Sequence, residues 1–329
     1  MSLRLLQAAA DADRGTRIAM PGLEADNLLA FLALMGMLRA IETAAPELEP
    51  RVSWYDSPWT ALLHLAHDAS KAEIAELVAR GCSTLAESFD VDDRSNVDFD
   101  RTSWRAYATR VAGSSVGAAL AAAVTAEYPP KRNSTALRAA PLVMMFGQGH
   151  QNFLERLREV PNAGVPERAQ KGRSAAAESA ADKIAEALFA PWERKDRANS
   201  FRWDPEEDQR YALRFGDPSR AGAAPTVHGA NRLAALGLLS FTCVPGSRSV
   251  RVAGTLQRNG KVSFVWPLWK QPLGRSAIEA LLGHPAVLAG DLDAVRALGV
   301  TEILRASRIN NGKFLNVTRA APHRAQREP

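Results

Sequence analysis

The run Leu28–Leu38 constrains this chain more than any other feature. It carries no charged side chain and stops at Arg39, and it is about half the length a membrane-crossing helix needs. A stretch of that kind reads as a helix buried in a protein core. Pro21-Gly22 breaks the chain ahead of it, Asp26 or Asn27 supplies an N-cap, and Ala44–Pro50 closes it, so a helix over residues 24–42 is expected. Leucines, Phe31 and Met35 cover most of its circumference, which requires burial on several sides.

The rest of the chain can supply that cover. Of its 329 residues 46% are hydrophobic and 23% charged, which excludes disorder over most of the length. The N-terminal Leu/Ala run is broken up by Arg4, Asp11, Asp13, Arg14 and Arg17, unlike the charge-then-apolar order of a signal peptide. With no membrane span and only Cys82 and Cys243, a cytoplasmic, reduced setting is expected. Arg51–Tyr55 reads as a strand, and Ser57-Pro58-Trp59 as the start of a second helix with proline in its first turn. Lys71–Arg80, Ser114–Glu127, Phe153–Val160 and Ser174–Phe189 read as helices. After Pro191 the pattern changes. Arg210–Phe215, Ser249–Leu256, Lys261–Trp266 and Thr301–Arg308 read as strands, with helices at Asn231–Leu239 and Ser276–Leu282. Asn259-Gly260 and Asn310-Asn311-Gly312 are hairpin turns, because Asn and Gly tolerate positive φ. The expected class is α+β: a mainly helical part over 1–190, a basic part of antiparallel hairpins over 191–320, and a flexible basic tail over 321–329. Asn27-Leu-Leu-Ala and Asn231-Arg-Leu-Ala echo each other, but Gly36 and Gly237 follow at different offsets, so the echo is read as chance.

Charge follows the same division. Beyond residue 190 there are 21 Lys/Arg against 12 Asp/Glu, and before it 20 against 24. A basic C-terminal part favours a polyanion such as nucleic acid. Catalytic signatures are missing from the sequence: no phosphate loop, no dinucleotide fingerprint, no His-Glu-x-x-His and no Gly-x-Ser-x-Gly. His64, His67 and Asp68 offer ligands on one expected helix face, the starting point for a metal-dependent hydrolase. Further His or Asp ligands are not evident, and two histidines on a helix are more often ordinary side chains. No metal, no cofactor and no enzymatic activity are therefore expected. Asp90–Asp100 is read as a solvated loop.

Four segments suit recognition. Gly147–Asn152 places Gln148, His150, Gln151 and Asn152 in a glycine-flanked turn before a helix, a phosphate seat if it is more than a connector. His228, Asn231 and Arg232 cluster at another helix start, where Asn231 serves equally as a cap. Arg248, Arg251, Arg258 and Lys261 line a hairpin that runs into Trp266 and Trp269, candidate stacking groups if they are not core. Arg305, Arg308, Lys313 and Arg319 decorate the last hairpin, ahead of Arg324 and Arg327.

Several strings along the chain resemble proteins of type I-U (I-G) CRISPR-associated operons. They are Pro21-Gly-Leu-Glu-Ala-Asp-Asn-Leu-Leu-Ala-Phe-Leu, Val52-Ser-Trp, Gly147-Gln-Gly-His-Gln-Asn-Phe-Leu, Phe201-Arg-Trp-Asp-Pro-Glu-Glu, His228-Gly-Ala-Asn-Arg-Leu-Ala, Phe264-Val-Trp-Pro-Leu-Trp and Arg308-Ile-Asn-Asn-Gly-Lys. The resemblance implies a large-subunit-like or accessory component of an RNA-guided antiviral surveillance complex. Guide RNA, target DNA and the other effector subunits would be its partners, and cleavage would belong to a separate nuclease-helicase. In such complexes base pairing reads sequence, while protein subunits hold the backbone or a short flanking motif. The alternatives are the hydrolase above and a purely structural subunit that docks through its apolar helix.

Overall fold

The computed structural model describes residues 13–56, 58–127, 137–144, 152–162, 178–207, 225–245, 250–258, 260–311 and 314–325. Strand β1 (Arg14–Met20) leads through Pro21-Gly22 into helix α1 (Leu28–Ala44). Asn27 caps α1, its side chain accepting from the Leu29 amide at 3.0 Å. Strands β2 (Arg51–Tyr55) and β3 (Thr60–Ser70) form a hairpin, and α2 (Lys71–Glu87) opens on a reciprocal Ser70/Glu73 capping box. Helices α3 (Arg101–Val111) and α4 (Ser115–Val124) follow, then the short pair β4 (Thr125–Glu127) and β5 (Leu137–Ala139). Next come α5 (Phe153–Asn162), α6 (Ala180–Phe189), the two-residue strands β6 (Asp196–Arg197) and β7 (Pro225–Thr226), and α7 (His228–Gly237). The C-terminal part runs β8 (Cys243–Pro245), β9 (Val250–Val252), β10 (Thr255–Arg258), β11 (Lys261–Trp269), α8 (Arg275–Leu282), α9 (Pro285–Ala289) and α10 (Leu292–Val295). It ends with β12 (Val300–Asn311), β13 (Phe314–Val317) and β14 (Ala321–Pro322).

The class is α+β with antiparallel hairpins, as the residue pattern predicts. Two sheets have more than two strands. The first has the order β1-β3-β2, and the second β10-β11-β12-β13 with β14 also on β12. Helix α1 is buried along nearly its whole length. Its main partner is α7, which crosses it antiparallel with reciprocal contacts. A methyl group on Gly36 would overlap the Leu233 carbonyl oxygen, and one on Gly237 would overlap the Leu32 carbonyl oxygen. The Asn-x-Leu-Ala echo thus belongs to two helices that pack on each other. Their equivalence is Leu32/Gly36 with Leu233/Gly237, so the shared asparagines are out of register. One core cluster runs from Ile18 to Val317, and the two sequence halves share it.

Three expectations are corrected. Ser57-Pro58-Trp59 does not open a helix, because Thr60–Ser70 is the central strand of the first sheet. Ala61–Leu63 pair with β1 on one side and β2 on the other, which satisfies backbone groups that a helix would leave unpaired along both neighbours. Ser114–Glu127 is helical only to Val124, and β-branched Thr125 starts β4 instead. Residues 321–325 are no loose tail. Ala321 and Pro322 pair with β12, and the His323 amide donates to the Ile303 carbonyl at 2.7 Å. The expected strand 210–215 lies outside the described residues. Among the described residues no helix is long and apolar enough to cross a membrane.

Candidate nucleic-acid interface

The second sheet sorts the C-terminal cations by face. Arg258 is the register partner of Lys261, Leu256 of Ser263, Val265 of Arg305, and Ser263 of Ser307. Directly opposed residues share a face. Arg258, Lys261, Ser263, Ser307 and Arg305 therefore stand on one side of the sheet. Toward Trp269 that side is covered by α8–α10, whose Leu281, Val287 and Val295 pack on Val265, Val300 and Ile303. Toward the β10–β11 hairpin it is open, and Arg258, Lys261 and Arg305 are all exposed. Gly260, with φ +76°, makes that tight turn. Four residues separate Lys261 from Val265, so the cations span roughly 13–14 Å at ~3.4 Å per residue. None of the three has a hydrogen-bond or ion-pair partner among the described residues.

The other basic candidates are placed differently. Arg308 is three residues beyond Arg305 on the same strand and so faces the opposite side. It is half-buried, its Nη1 donates to the Pro141 carbonyl at 3.3 Å, and burial lowers its pKa. Arg319 is locked in by carboxylates: Asp26 at 2.8 Å, Glu24 at 2.9 Å and Glu206 at 2.9 Å. Burial alone would lower its pKa, but the Glu206 hydrogen bond and the charges of Glu24 and Asp26 outweigh that and raise it. Arg251 is exposed on β9, opposite Val244, in a separate two-stranded sheet. Arg248 and Lys313 lie outside the described residues.

The helix-start candidates are interior. Asn231 is fully buried; its Oδ1 accepts from the Phe201 amide at 3.2 Å and its Nδ2 donates to Thr226 Oγ1 at 2.9 Å. Arg232 is 3% exposed, with Nε donating to the Pro161 carbonyl at 3.1 Å at the end of α5. His228 is 1% exposed, and its amide donates to Asp196. As placed, these three hold the fold and cannot reach a strand outside it. Asn152 ties α5 to the loop before α3, bonding to Glu155 and to Asn96. Gln148, His150 and Gln151 lie outside the described residues. Trp266 and Trp269 are core, not stacking platforms. Their indole N–H groups donate to the Ala25 carbonyl at 3.0 Å and the Val52 carbonyl at 2.6 Å, and Trp266 stacks on Phe31.

Two of the strings that carry the resemblance, at 21–32 and 201–207, meet inside the molecule. Asn27 Nδ2 donates to Asp204 at 3.0 Å, the Leu29 amide to the Trp203 carbonyl at 3.1 Å, and the Ala320 amide to the Asp26 carbonyl at 2.8 Å. Arg194, held at φ +50°, pairs with the fully buried Asp204 side chain at 2.7 Å. Pairing of this kind keeps a left-handed non-glycine residue in place. Residue type alone gave no hint of this network, since its members lie up to 293 positions apart.

The histidine pair is likewise dispersed. His64 sits on β3 beside Arg17 and Arg51, its Nε2 2.7 Å from Ser53 Oγ. His67 and Asp68 fall in the stretch Leu65–Asp68 that faces the single β1 residue Thr16, where the register slips. The described residues contain no group of three His, Cys, Asp or Glu able to hold a metal. Burial and the Arg17 charge push the His64 pKa down to about 4 from 6.5. Its unfolded form therefore takes up a proton below pH about 6.5 that the folded form refuses until about pH 4. Stability is expected to fall with pH across that window. Urea midpoints at pH 7 and pH 5 check this, and His64→Gln should reduce the difference.

No family model, no curated protein and no solved structure matches this chain.

Proposed function

We propose that this protein is a non-catalytic nucleic-acid-binding subunit of an RNA-guided surveillance complex, and that Arg258, Lys261 and Arg305 take phosphates of the bound strand. One observation carries the binding: three exposed cations, without carboxylate partners among the described residues, stand together on the open end of one sheet face. By contrast, Arg319 and Arg324 are tied down by glutamates and aspartate. Unpaired positive charge on a shared face is the electrostatic footprint of a polyanion site. Ser263 and Ser307 lie between the cations and add neutral hydroxyl donors for phosphate oxygens. The complex itself is proposed on the resemblance of the strings quoted above.

The test is a salt titration of oligonucleotide binding. Each lost phosphate contact lowers the slope of log K against log salt by about 0.7 for single strands and about 0.9 for duplex DNA. Replacing Arg258, Lys261 and Arg305 together by alanine should therefore remove about two units or more of slope. Arg319→Ala should weaken folding instead and leave the slope of the folded fraction alone. An unchanged slope in the triple variant removes this face from the proposal and favours a structural subunit. Recovery of a short guide RNA with the purified chain would support membership of the complex.

A further inference from the structure

We propose that Arg17, His64 and Arg51, aligned across the first sheet beside Ser53, form a binding site for a phosphate group. This site is on the N-terminal half, far in sequence from the face discussed above, and does not depend on it.

The register sets the arrangement. His64 on the central strand is the direct partner of Arg17 on β1 and of Arg51 on β2. The three side chains therefore stand in one row on one face of the sheet, with neighbouring strands about 4.8 Å apart. The adjacent row, Ile18, Leu63 and Val52, points the other way into the main core. On the face of the cationic row, Ala19 and Leu62 make a small buried floor with Tyr55 packed against it. Both arginines are exposed, and His64 is half-buried.

Arg17 and Arg51 stand two strands apart with His64 between them, so an anion seated over the histidine would lie between two positive charges. Arg17 has no carboxylate partner among the described residues. Among the described residues Arg51 pairs only with Glu49, at 3.2 Å, and both side chains are more than half exposed, at 54% and 66%. An exposed pair of that kind contributes little. The first strand does have a satisfied arginine for contrast, Arg14 with Glu73 at 2.7 Å.

The chemistry of the row fits a tetrahedral phosphate anion. Two guanidinium groups flank the centre and each offers forked N–H donors to phosphate oxygens. His64 is held by the buried Ser53 hydroxyl at Nε2. In the tautomer in which Ser53 donates to Nε2, Nδ1 carries the proton and remains as a neutral donor. Two positive charges and a neutral donor match one phosphate group, borne either by a small phosphate ligand or by a strand.

The test follows the histidine side chains of the full chain by NMR. Inorganic phosphate is titrated at pH 7, and in a second arm a ten-nucleotide thymidine strand. His64 resonances should move saturably with a Kd tighter than about 1 mM, while exposed His67 stays put. Arg17→Gln and Arg51→Gln, both at exposed positions, should each weaken binding about tenfold. Saturation by inorganic phosphate alone assigns a small phosphate ligand. Saturation by the strand at lower concentration assigns a backbone phosphate. No saturable movement of His64 in either arm, or full affinity in both arginine variants, overturns the site. The sheet-face triple variant serves as the separate control, since it should bind phosphate at His64 as the parent does.

Discussion

Gly36→Ala is expected to destabilise the protein by about 3 kcal/mol or more, a large share of the roughly 5–15 kcal/mol that keeps a domain folded. The new methyl group would fall on the Leu233 carbonyl oxygen, and that oxygen belongs to the backbone of α7 and cannot swing away. The two helices would have to part along an interface that is closely packed on both sides. Gly237→Ala should have a similar effect, because it meets the Leu32 carbonyl oxygen from the other direction. The two losses should be less than additive, since one separation of the helices relieves both overlaps. Gly113→Ala is the matched control. Nothing lies within 4 Å of its added methyl, and shrinking the unfolded ensemble should stabilise it slightly, by up to about 1 kcal/mol. Urea unfolding followed by circular dichroism distinguishes the three. Equal midpoints for Gly36→Ala and Gly113→Ala would mean that the helices do not cross at these glycines.

Lys183→Met should cost about 3–5 kcal/mol, the usual result of breaking a buried ion cluster from one side. The Lys183 side chain is 1% exposed, with Nζ 2.6 Å from Asp196, 2.6 Å from Glu178 and 2.9 Å from Glu186. Removing the ammonium leaves Asp196, whose side chain is 5% exposed, without its cation. Asp196 also accepts the His228 amide at the start of α7, so the damage reaches the central helix pair. Burial alone would lower the Lys183 pKa, but hydrogen bonds to Asp196, Glu178 and Glu186 outweigh it and raise the value. A raised lysine pKa gives a contribution complete below about pH 10.5 and lost only as pH rises beyond that. The penalty of Lys183→Met should thus be constant from pH 7 to 9. If the variant unfolds at the parent urea midpoint, the cluster is not buried as described.

Much of the fold was legible in residue patterns. The uniformly apolar run 28–38 announced a central helix, and the Asn-Gly pair at 259–260 announced the β10–β11 hairpin. What failed was anything set by distant partners. Ala61–Leu63 reads equally as helix or strand until β1 and β2 bracket it. Trp266 and Trp269 look like stacking groups until the Ala25 and Val52 carbonyls claim their indole N–H donors. Arg305 and Arg308 looked like one patch because spacing in sequence was read without the period of a strand, which sends them to opposite faces. The ion pairs of Arg319 were invisible, since Glu24 and Asp26 lie at the other end of the chain. The cationic row of the first sheet was missed for the same reason. The residue pattern puts His64 on a helix, where Arg17 and Arg51 have no reason to meet it.

The partnership of α1 with α7 also shapes how the protein must be made. Roughly 190 residues separate the end of α1 from the end of α7, so a ribosome adding about 5–20 residues per second leaves the first helix without its mate for roughly 10–40 s. Contacts that remote in sequence also form slowly once available. During that interval a greasy cylinder with no polar side is offered to the cell, and a chaperone that recognises exposed leucine would have its best target in residues 28–38.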